Sequence, residues 1–145
     1  MESLDNLLSN NSFEVSVGEI PNVKAVVVQS KVQQTTKGDI DEVLGVLNLW
    51  VKTSFEEKCN FMFWFDLKTF PSNFFEFVSK LSVFFGAVSE ELKETLECTV
   101  IITPTKRIES VQNLASTFSV SERLFIRDDP GSAMSDIVNL GLSDN

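Results

Sequence analysis

The chain lacks most of the residue types on which enzymes rely. It has no histidine and no tyrosine, which removes the commonest general base, the usual zinc and iron ligand sets, and every Ser-His or Cys-His pair. Its two cysteines, Cys59 and Cys98, are too few for a zinc site, and its six glycines are scattered and form no phosphate-binding loop. We therefore expect no catalytic, cofactor-binding or metal-ligating residues, and we predict that the protein is not an enzyme.

Acidic pairs and the two thiols are the remaining reactive groups. Close pairs of acids can bind a divalent cation or act as acid and base, but helix starts and solvated faces carry such pairs more often. The pairs are Asp39 with Asp41, Glu90 with Glu91, and Asp128 with Asp129. Each cysteine stands just ahead of a predicted strand, so the thiols are either neighbours or, as is more common, separate buried thiols that stay reduced.

Asp66 lies within the apolar run Phe61 to Phe70, FMFWFDLKTF, which is followed by Pro71. Such a run is typical of a strand that is buried on both faces. A carboxylate at the end of a buried strand must be solvated at the rim of the sheet or hydrogen-bonded, and we interpret Asp66 as a cap for the following loop. Loops that follow strand ends are where α/β sheets usually carry function.

Length and charge limit the class of protein. A chain of 145 residues that is 43% hydrophobic suits one compact domain, and we assign residues 13–145 to it, after a polar, flexible tail at residues 1–12. The net charge of −9 argues against binding to nucleic acid or to anionic lipid. The sequence has no long apolar stretch and no signal-peptide pattern at its start, so we predict a cytoplasmic protein without membrane insertion.

The hydrophobic pattern predicts a single α/β domain with the element order β-β-α-β-α-β-α-β-α. Its sheet is mixed, mainly parallel and five-stranded, with right-handed crossovers and with the first strand antiparallel at an edge. The predicted strands begin at Phe13, Val23, Phe61, Thr99 and Leu124, and the predicted helices begin at Asp39, Asn73, Thr105 and Ser132. One long helix is expected to reach Leu96, with a kink or close contact at Gly86.

This order resembles the STAS domain, the fold of bacterial anti-sigma factor antagonists. The strand FWFDL at Phe63 to Leu67, the strand CTVIIT with Pro104 at its end, the helix IESVQNLASTF and the closing RLFIRDDPGSAMSDI carry the resemblance. It implies a non-enzymatic, regulatory protein-protein interaction module. A weaker resemblance, to the lipid-binding CRAL-TRIO fold, implies instead a carrier of an apolar or lipid-like ligand in a Phe-lined pocket.

STAS antagonists usually carry a phosphorylated serine in an Asp-Ser-Ser-Gly-like loop after the Asp-Leu strand. Ser72 is the nearest counterpart here, and Thr69 is the second candidate for phosphorylation. The chain departs from the family pattern because the glycine is missing and the bulky Phe74 and Phe75 replace small residues.

Thirteen phenylalanines are present, and nine of them lie between positions 61 and 85. Most of them line the core at helical or strand spacing, and those that the core cannot bury form either an exposed patch for a partner or a second copy, or the lining of an apolar pocket. We therefore predict a protein partner or homodimer, with an apolar small ligand as the alternative. The candidate interaction surface comprises Asp66, Lys68, Phe70, Asn73, Phe74 and Phe75.

Overall fold

The computed structural model describes residues 5–20, 23–31, 37–68, 74–115 and 123–141. These residues form one mixed six-stranded sheet and five α-helices. In chain order the elements are β1 (Asp5–Ser9), β2 (Phe13–Glu19), β3 (Lys24–Ser30), α1 (Lys37–Glu57), β4 (Phe61–Asp66), α2 (Phe74–Ala87), α3 (Ser89–Thr95), β5 (Leu96–Ile102), a 3₁₀ turn (Thr105–Arg107), α4 (Ile108–Ala115), β6 (Leu124–Arg127) and α5 (Pro130–Leu140).

The strands lie in the sheet in the same order as in the chain. β1, β2 and β3 form an antiparallel meander, whereas β3, β4, β5 and β6 run parallel to one another. One row of paired residues, Val28, Phe65, Ile101 and Ile126, crosses all four parallel strands. Parallel strands need long crossover connections, and helices α1 to α4 supply them here.

The two faces of the sheet support separate apolar clusters. Side chains alternate between the faces of a strand, so Phe63 and Phe65 of β4 pack with α1, α2, α3 and α4, while Met62 and Trp64 pack with α5. Every residue of β4 from Phe61 to Phe65 is buried. This burial on both faces confirms the two-sided strand that its unbroken apolar sequence predicts.

Residues 5–9 account for the difference between the five strands that the pattern predicts and the six that the structure contains. β1 pairs antiparallel with β2 and forms the edge of the sheet, so β2 is an internal strand rather than the predicted edge strand. This segment lies in the predicted flexible tail. Only Leu7 and Leu8 of its five residues are apolar, too short a run to predict a strand, and an edge strand with one neighbour does not need a longer one.

Asn10 anchors the β1–β2 turn to the start of α1. Its amide nitrogen donates to the Asp39 carbonyl oxygen at 3.3 Å and to Glu42 Oε1 at 3.0 Å, and its side-chain oxygen accepts from the backbone amides of Ser12 at 2.9 Å and Phe13 at 2.8 Å. The buried Ser12 hydroxyl donates to the Asp39 carboxylate. Asp39 lies inside the first turn of α1, which begins two residues earlier than predicted.

Val88 divides the single long helix predicted from Asn73 to Leu96 into α2 and α3. Its backbone, at φ −114° and ψ 22°, is not helical. Leu96 then begins β5 instead of ending a helix. The helical spacing of apolar residues continues through the break because both helices pack their apolar sides on the same face of the sheet.

The last helix begins at Pro130, and its N-cap is Asp129 rather than the predicted Ser132. The backbone N–H of Ser132 donates to Asp129 Oδ1 at 2.9 Å, and the Ser132 hydroxyl donates to Oδ2 at 2.9 Å. An aspartate cap followed by proline suits a helix start, because proline has no N–H to leave unpaired. α5 ends at Leu140, and its C-cap Gly141 has the left-handed conformation, with φ 65°.

Candidate functional site

Asp66 ends β4 at the carboxyl edge of the parallel strands. The hydroxyl of Ser30, at the end of β3, donates to the Asp66 carbonyl oxygen at 3.3 Å. The backbone N–H of Lys68 donates to Asp66 Oδ1 at 3.4 Å, and that of Leu67 donates to the Ile102 carbonyl oxygen at 2.8 Å. The half-buried carboxylate therefore lies where it can hold the start of the next loop, in the capping role that we interpret from the sequence.

Three of the six residues predicted for the interaction surface have described side chains. Asp66 is half-buried, Lys68 is exposed, and Phe75 in the first turn of α2 is 50% exposed. Phe74 begins α2, but its side chain lies outside the described residues. Phe70 and Asn73, together with the two candidate phosphorylation sites Thr69 and Ser72, also lie outside the described residues.

The outward face of α2 extends away from this edge, and Phe75 is the one residue of it that the sequence predicts for the interaction surface. We use this name for the exposed residues of the helix, which are Phe75, Glu76, Ser79, Val83, Gly86 and Ala87. Val83 is 74% exposed. Glu76 is the only charged residue among them, because Lys80 is half-buried and pairs with Asp41 of α1 at 3.0 Å.

The sequence of α2 contains a signal for this face, which is its low number of charged residues. α2 contains 14 residues and its only charged residues are Glu76 and Lys80, whereas a surface helix normally has charged or polar residues opposite its apolar stripe. α1 provides the contrast, because its exposed positions include Asp41, Glu42 and Lys52 beside the apolar Leu49.

The inner side of α2 packs ring against ring on the sheet. The centroids of Phe77 and Phe13 are 5.1 Å apart, those of Phe85 and Phe63 are 5.6 Å apart, and both pairs are stacked. Phe77 and Phe65 meet edge to face at 6.3 Å. These are ordinary contact distances for aromatic pairs, so phenylalanine rings of the chain itself fill the contact between α2 and the sheet.

Each predicted acid pair lies among partners from this chain. Asp41 pairs with Lys80, and Glu91 forms an ion pair with Lys52 that holds the pKa of Glu91 below its ordinary value. Asp128 accepts from the Thr105 hydroxyl at 2.8 Å. Over the described residues, His, Cys, Asp and Glu form no group of three or more that could hold a metal ion.

The two cysteines lie in different surroundings, and both are free thiols. Cys98 is buried under α5, where burial first, and then the negative charge of Glu97, raise the pKa of its thiol to about 12. Cys59, between α1 and β4, is half-buried. The expectation of buried thiols is thus met by Cys98 and only partly by Cys59.

Compared with known proteins, the chain matches no family model, no curated protein and no solved structure. The resemblance to the STAS domain therefore rests on the order of the elements and on the sequence segments that carry it. Of the helices in the described ranges, none has the length and apolar content needed to cross a lipid bilayer.

Proposed function

We propose that this protein is a non-enzymatic protein-protein interaction module with a STAS-like fold. The order of elements from β2 onward supports the likeness to the STAS fold when α2 and α3 are counted together as one helix. The outward face of α2 is the observation that carries the proposal. It is almost uncharged over its whole length in a protein with a net charge of −9, and exposed apolar surface of this kind is typical of contact sites.

A second copy of the chain is the partner that this face suits best. Two copies with a charge of −9 repel each other, and the repulsion is weakest where their surfaces carry fewest charges. The large Phe75 lies near one end of the face, while the small Gly86 and Ala87 lie at the other. An antiparallel pair of α2 helices would place the large residue of each copy against the small residues of the other, which allows close packing.

The interaction module has more support than the apolar carrier. A carrier needs room for its ligand between the Phe-rich helix and the sheet, and the stacked pairs Phe13–Phe77 and Phe63–Phe85 occupy that contact. Extraction of natively purified protein, followed by mass spectrometry for lipid, tests the carrier directly. A stoichiometric apolar ligand in the extract would favour the carrier over the interaction module.

Light scattering coupled to size-exclusion chromatography tests the homodimer. We expect a mass near twice 16.2 kDa for the wild-type chain and a monomer for Val83→Glu, because a buried unpaired charge opposes association. Leu49→Glu is the matched control, since Leu49 on α1 is 68% exposed against 74% for Val83, and it should leave the mass unchanged. A wild-type monomer at all concentrations, or equal effects of the two variants, would contradict self-association through α2.

Phosphorylation at the start of this surface is a further part of the proposal. Ser72 stands two positions before the first residue of α2, and phosphate groups are favoured near helix N-termini. If phosphorylation modulates association, Ser72→Asp and Ser72→Ala should differ in dimer dissociation constant, with Thr69→Asp and Thr69→Ala as the second pair. Equal constants within each pair would remove phosphorylation from the mechanism.

A further inference from the structure

β6 is the last strand of the sheet, and among the described strands its only neighbour is β5. The backbone N–H of Thr103 donates to the Arg127 carbonyl oxygen at 3.0 Å, so this carbonyl points toward β5. Successive residues of a strand direct their backbone groups to opposite sides. The N–H and C=O of Ile126, and those of Leu124, therefore point away from β5, to what we call the outer edge of β6.

The Arg127 side chain lies against this outer edge. Its Nη1 donates to the Ile126 carbonyl oxygen at 2.9 Å, and its Nε pairs with Asp136 Oδ2 of α5 at 2.8 Å. The guanidinium carbon also lies 5.8 Å from the centre of the Phe125 ring, within cation–π range. A strand that pairs at the outer edge would use the Ile126 carbonyl oxygen as an acceptor, and the guanidinium already donates to that oxygen.

The sequence of β6 would favour pairing if its edge were open. Leu124, Phe125 and Ile126 are apolar residues, and an exposed apolar edge strand is a template for another chain. Proteins commonly block such edges with charged side chains or bulges. At the opposite edge of the sheet, β1 contains a bulge between Asn6 and Leu8, which interrupts regular pairing there.

We infer that the outer edge of β6 is a latent pairing surface for a second copy of this chain, which the Arg127 side chain keeps closed. The charged residues on either side of β6 are complementary when two copies of the strand pair antiparallel. An antiparallel pair centred on Ile126 would place Arg123 of each copy opposite Asp129 of the other, and opposite charges across such a pair are favourable. This surface is separate from the outward face of α2 and does not depend on it.

Arg127→Thr tests the inference, because threonine suits a strand and leaves the Ile126 carbonyl exposed. The variant is made in the Val83→Glu background, so that any association through α2 is suppressed. We expect its weight-average mass, from sedimentation or light scattering, to rise with concentration toward twice the monomer mass. Lys93→Thr, the control, removes an exposed cation of α3 that pairs with Glu90 and has no place in the proposed pair, and it should keep the mass of the background protein.

Leu124→Pro distinguishes strand pairing from other association. The N–H of Leu124 points outward, so proline there removes a donor from the outer edge without removing a bond to β5. Added to Arg127→Thr, it should restore the mass of the background protein. If Arg127→Thr does not fold, as judged by circular dichroism, Arg127→Met takes its place, because methionine keeps a long side chain on Phe125 but has no hydrogen-bond donor. An unchanged mass in the folded Arg127 variant, or equal association with and without Leu124→Pro, overturns the inference.

Discussion

The hydroxyl of Thr99 is buried in β5 and has no hydrogen-bond partner among the residues that the structure describes. An unsatisfied buried polar group costs about 1–3 kcal/mol. Thr99→Val keeps the branched shape and removes the hydroxyl, so we expect the free energy of unfolding to rise by about 1 kcal/mol. Urea denaturation followed by tryptophan fluorescence measures the change.

Thr95 supplies the matched control, because it is also buried but its hydroxyl donates to the Glu91 carbonyl oxygen at 2.8 Å. Thr95→Val removes a satisfied hydrogen bond and should lower the free energy of unfolding by about 1 kcal/mol. The prediction requires the two substitutions to have opposite signs. Loss of stability in both would show that the Thr99 hydroxyl makes a favourable interaction.

The raised pKa of Cys98 predicts an unreactive thiol. The thiolate is the reactive form, and with a pKa of about 12 the Cys98 thiol stays protonated near neutral pH. A thiol reagent should therefore modify Cys59 alone in the native protein and both cysteines after denaturation. Cys59→Ser should abolish the native reaction and Cys98→Ser should preserve it. Rapid native labelling of Cys98 would mean that α5 does not protect it.

At the scale of single elements, the end of α5 depends on the left-handed conformation of Gly141, whose N–H donates to the Val138 carbonyl oxygen at 3.1 Å. Gly141→Ala puts a Cβ into a conformation that costs L-residues about 1–2 kcal/mol, so we expect a loss of that order in the free energy of unfolding. Gly45→Ala is the control. Gly45 lies inside α1 with open space around its Cβ position, and alanine there should stabilise by about 1 kcal/mol. Equal effects of the two substitutions on the free energy of unfolding would show that the left-handed conformation of Gly141 does not determine the end of α5.

The cap of α5 predicts a dependence of stability on pH. Hydrogen bonds from the backbone N–H and the hydroxyl of Ser132 hold the pKa of Asp129 below its ordinary value. The ionised carboxylate therefore stabilises the fold above the ordinary aspartate pKa, and this contribution is lost as pH falls through the lower, folded-state pKa. Asp129→Asn still caps the helix but does not titrate.

Thermal unfolding at several pH values tests this dependence. The wild-type chain should melt at a higher temperature than Asp129→Asn at neutral pH, and the difference should shrink as the solution becomes more acidic. A difference that stays constant down to strongly acidic pH would show that ionisation of Asp129 contributes nothing to the cap.

For the whole molecule, the excess of acidic residues is the dominant electrostatic property. The chain carries 21 acidic residues and 12 basic ones, and excess charge of one sign opposes the compact state. Salt screens this repulsion over a Debye length of about 8 Å at physiological ionic strength. We expect the midpoint of thermal unfolding to rise when sodium chloride is added to a low-salt solution.

A charge variant supplies the control for the salt experiment. Glu56 and Glu57 are exposed at the end of α1, and replacing both by lysine makes the net charge less negative while placing cations near a helix C-terminus, where they are favourable. The salt dependence of this variant should be smaller than that of the wild-type chain. A midpoint that falls with salt would mean that surface ion pairs such as Lys52–Glu91 outweigh the net repulsion.

Several features of this protein were predictable from short sequence windows. The apolar run Phe61–Phe65 indicates a strand that is buried on both faces, and the spacing of Ile40, Val43, Leu47 and Val51 indicates a helix with one buried side. Both are confirmed. Periodicity of this kind is local, since it depends only on how side chains alternate along a strand or a helix. The α/β class and the mixed sheet follow from it.

Other features depend on contacts between distant parts of the chain, and the sequence alone did not reveal them. β1 is a strand because β2 is available to pair with it, the predicted long helix is broken at Val88, β5 begins at Leu96, and Asp129 takes the cap that was assigned to Ser132. The exposure of Val83 depends on the rotation of α2 against the sheet, and the contact of Arg127 with Ile126 depends on β6 being the last strand. Local propensity determined most of the helices and strands, whereas contacts between elements decided the others and which side chains face solvent. Burial of a side chain requires a partner surface that only the folded chain provides.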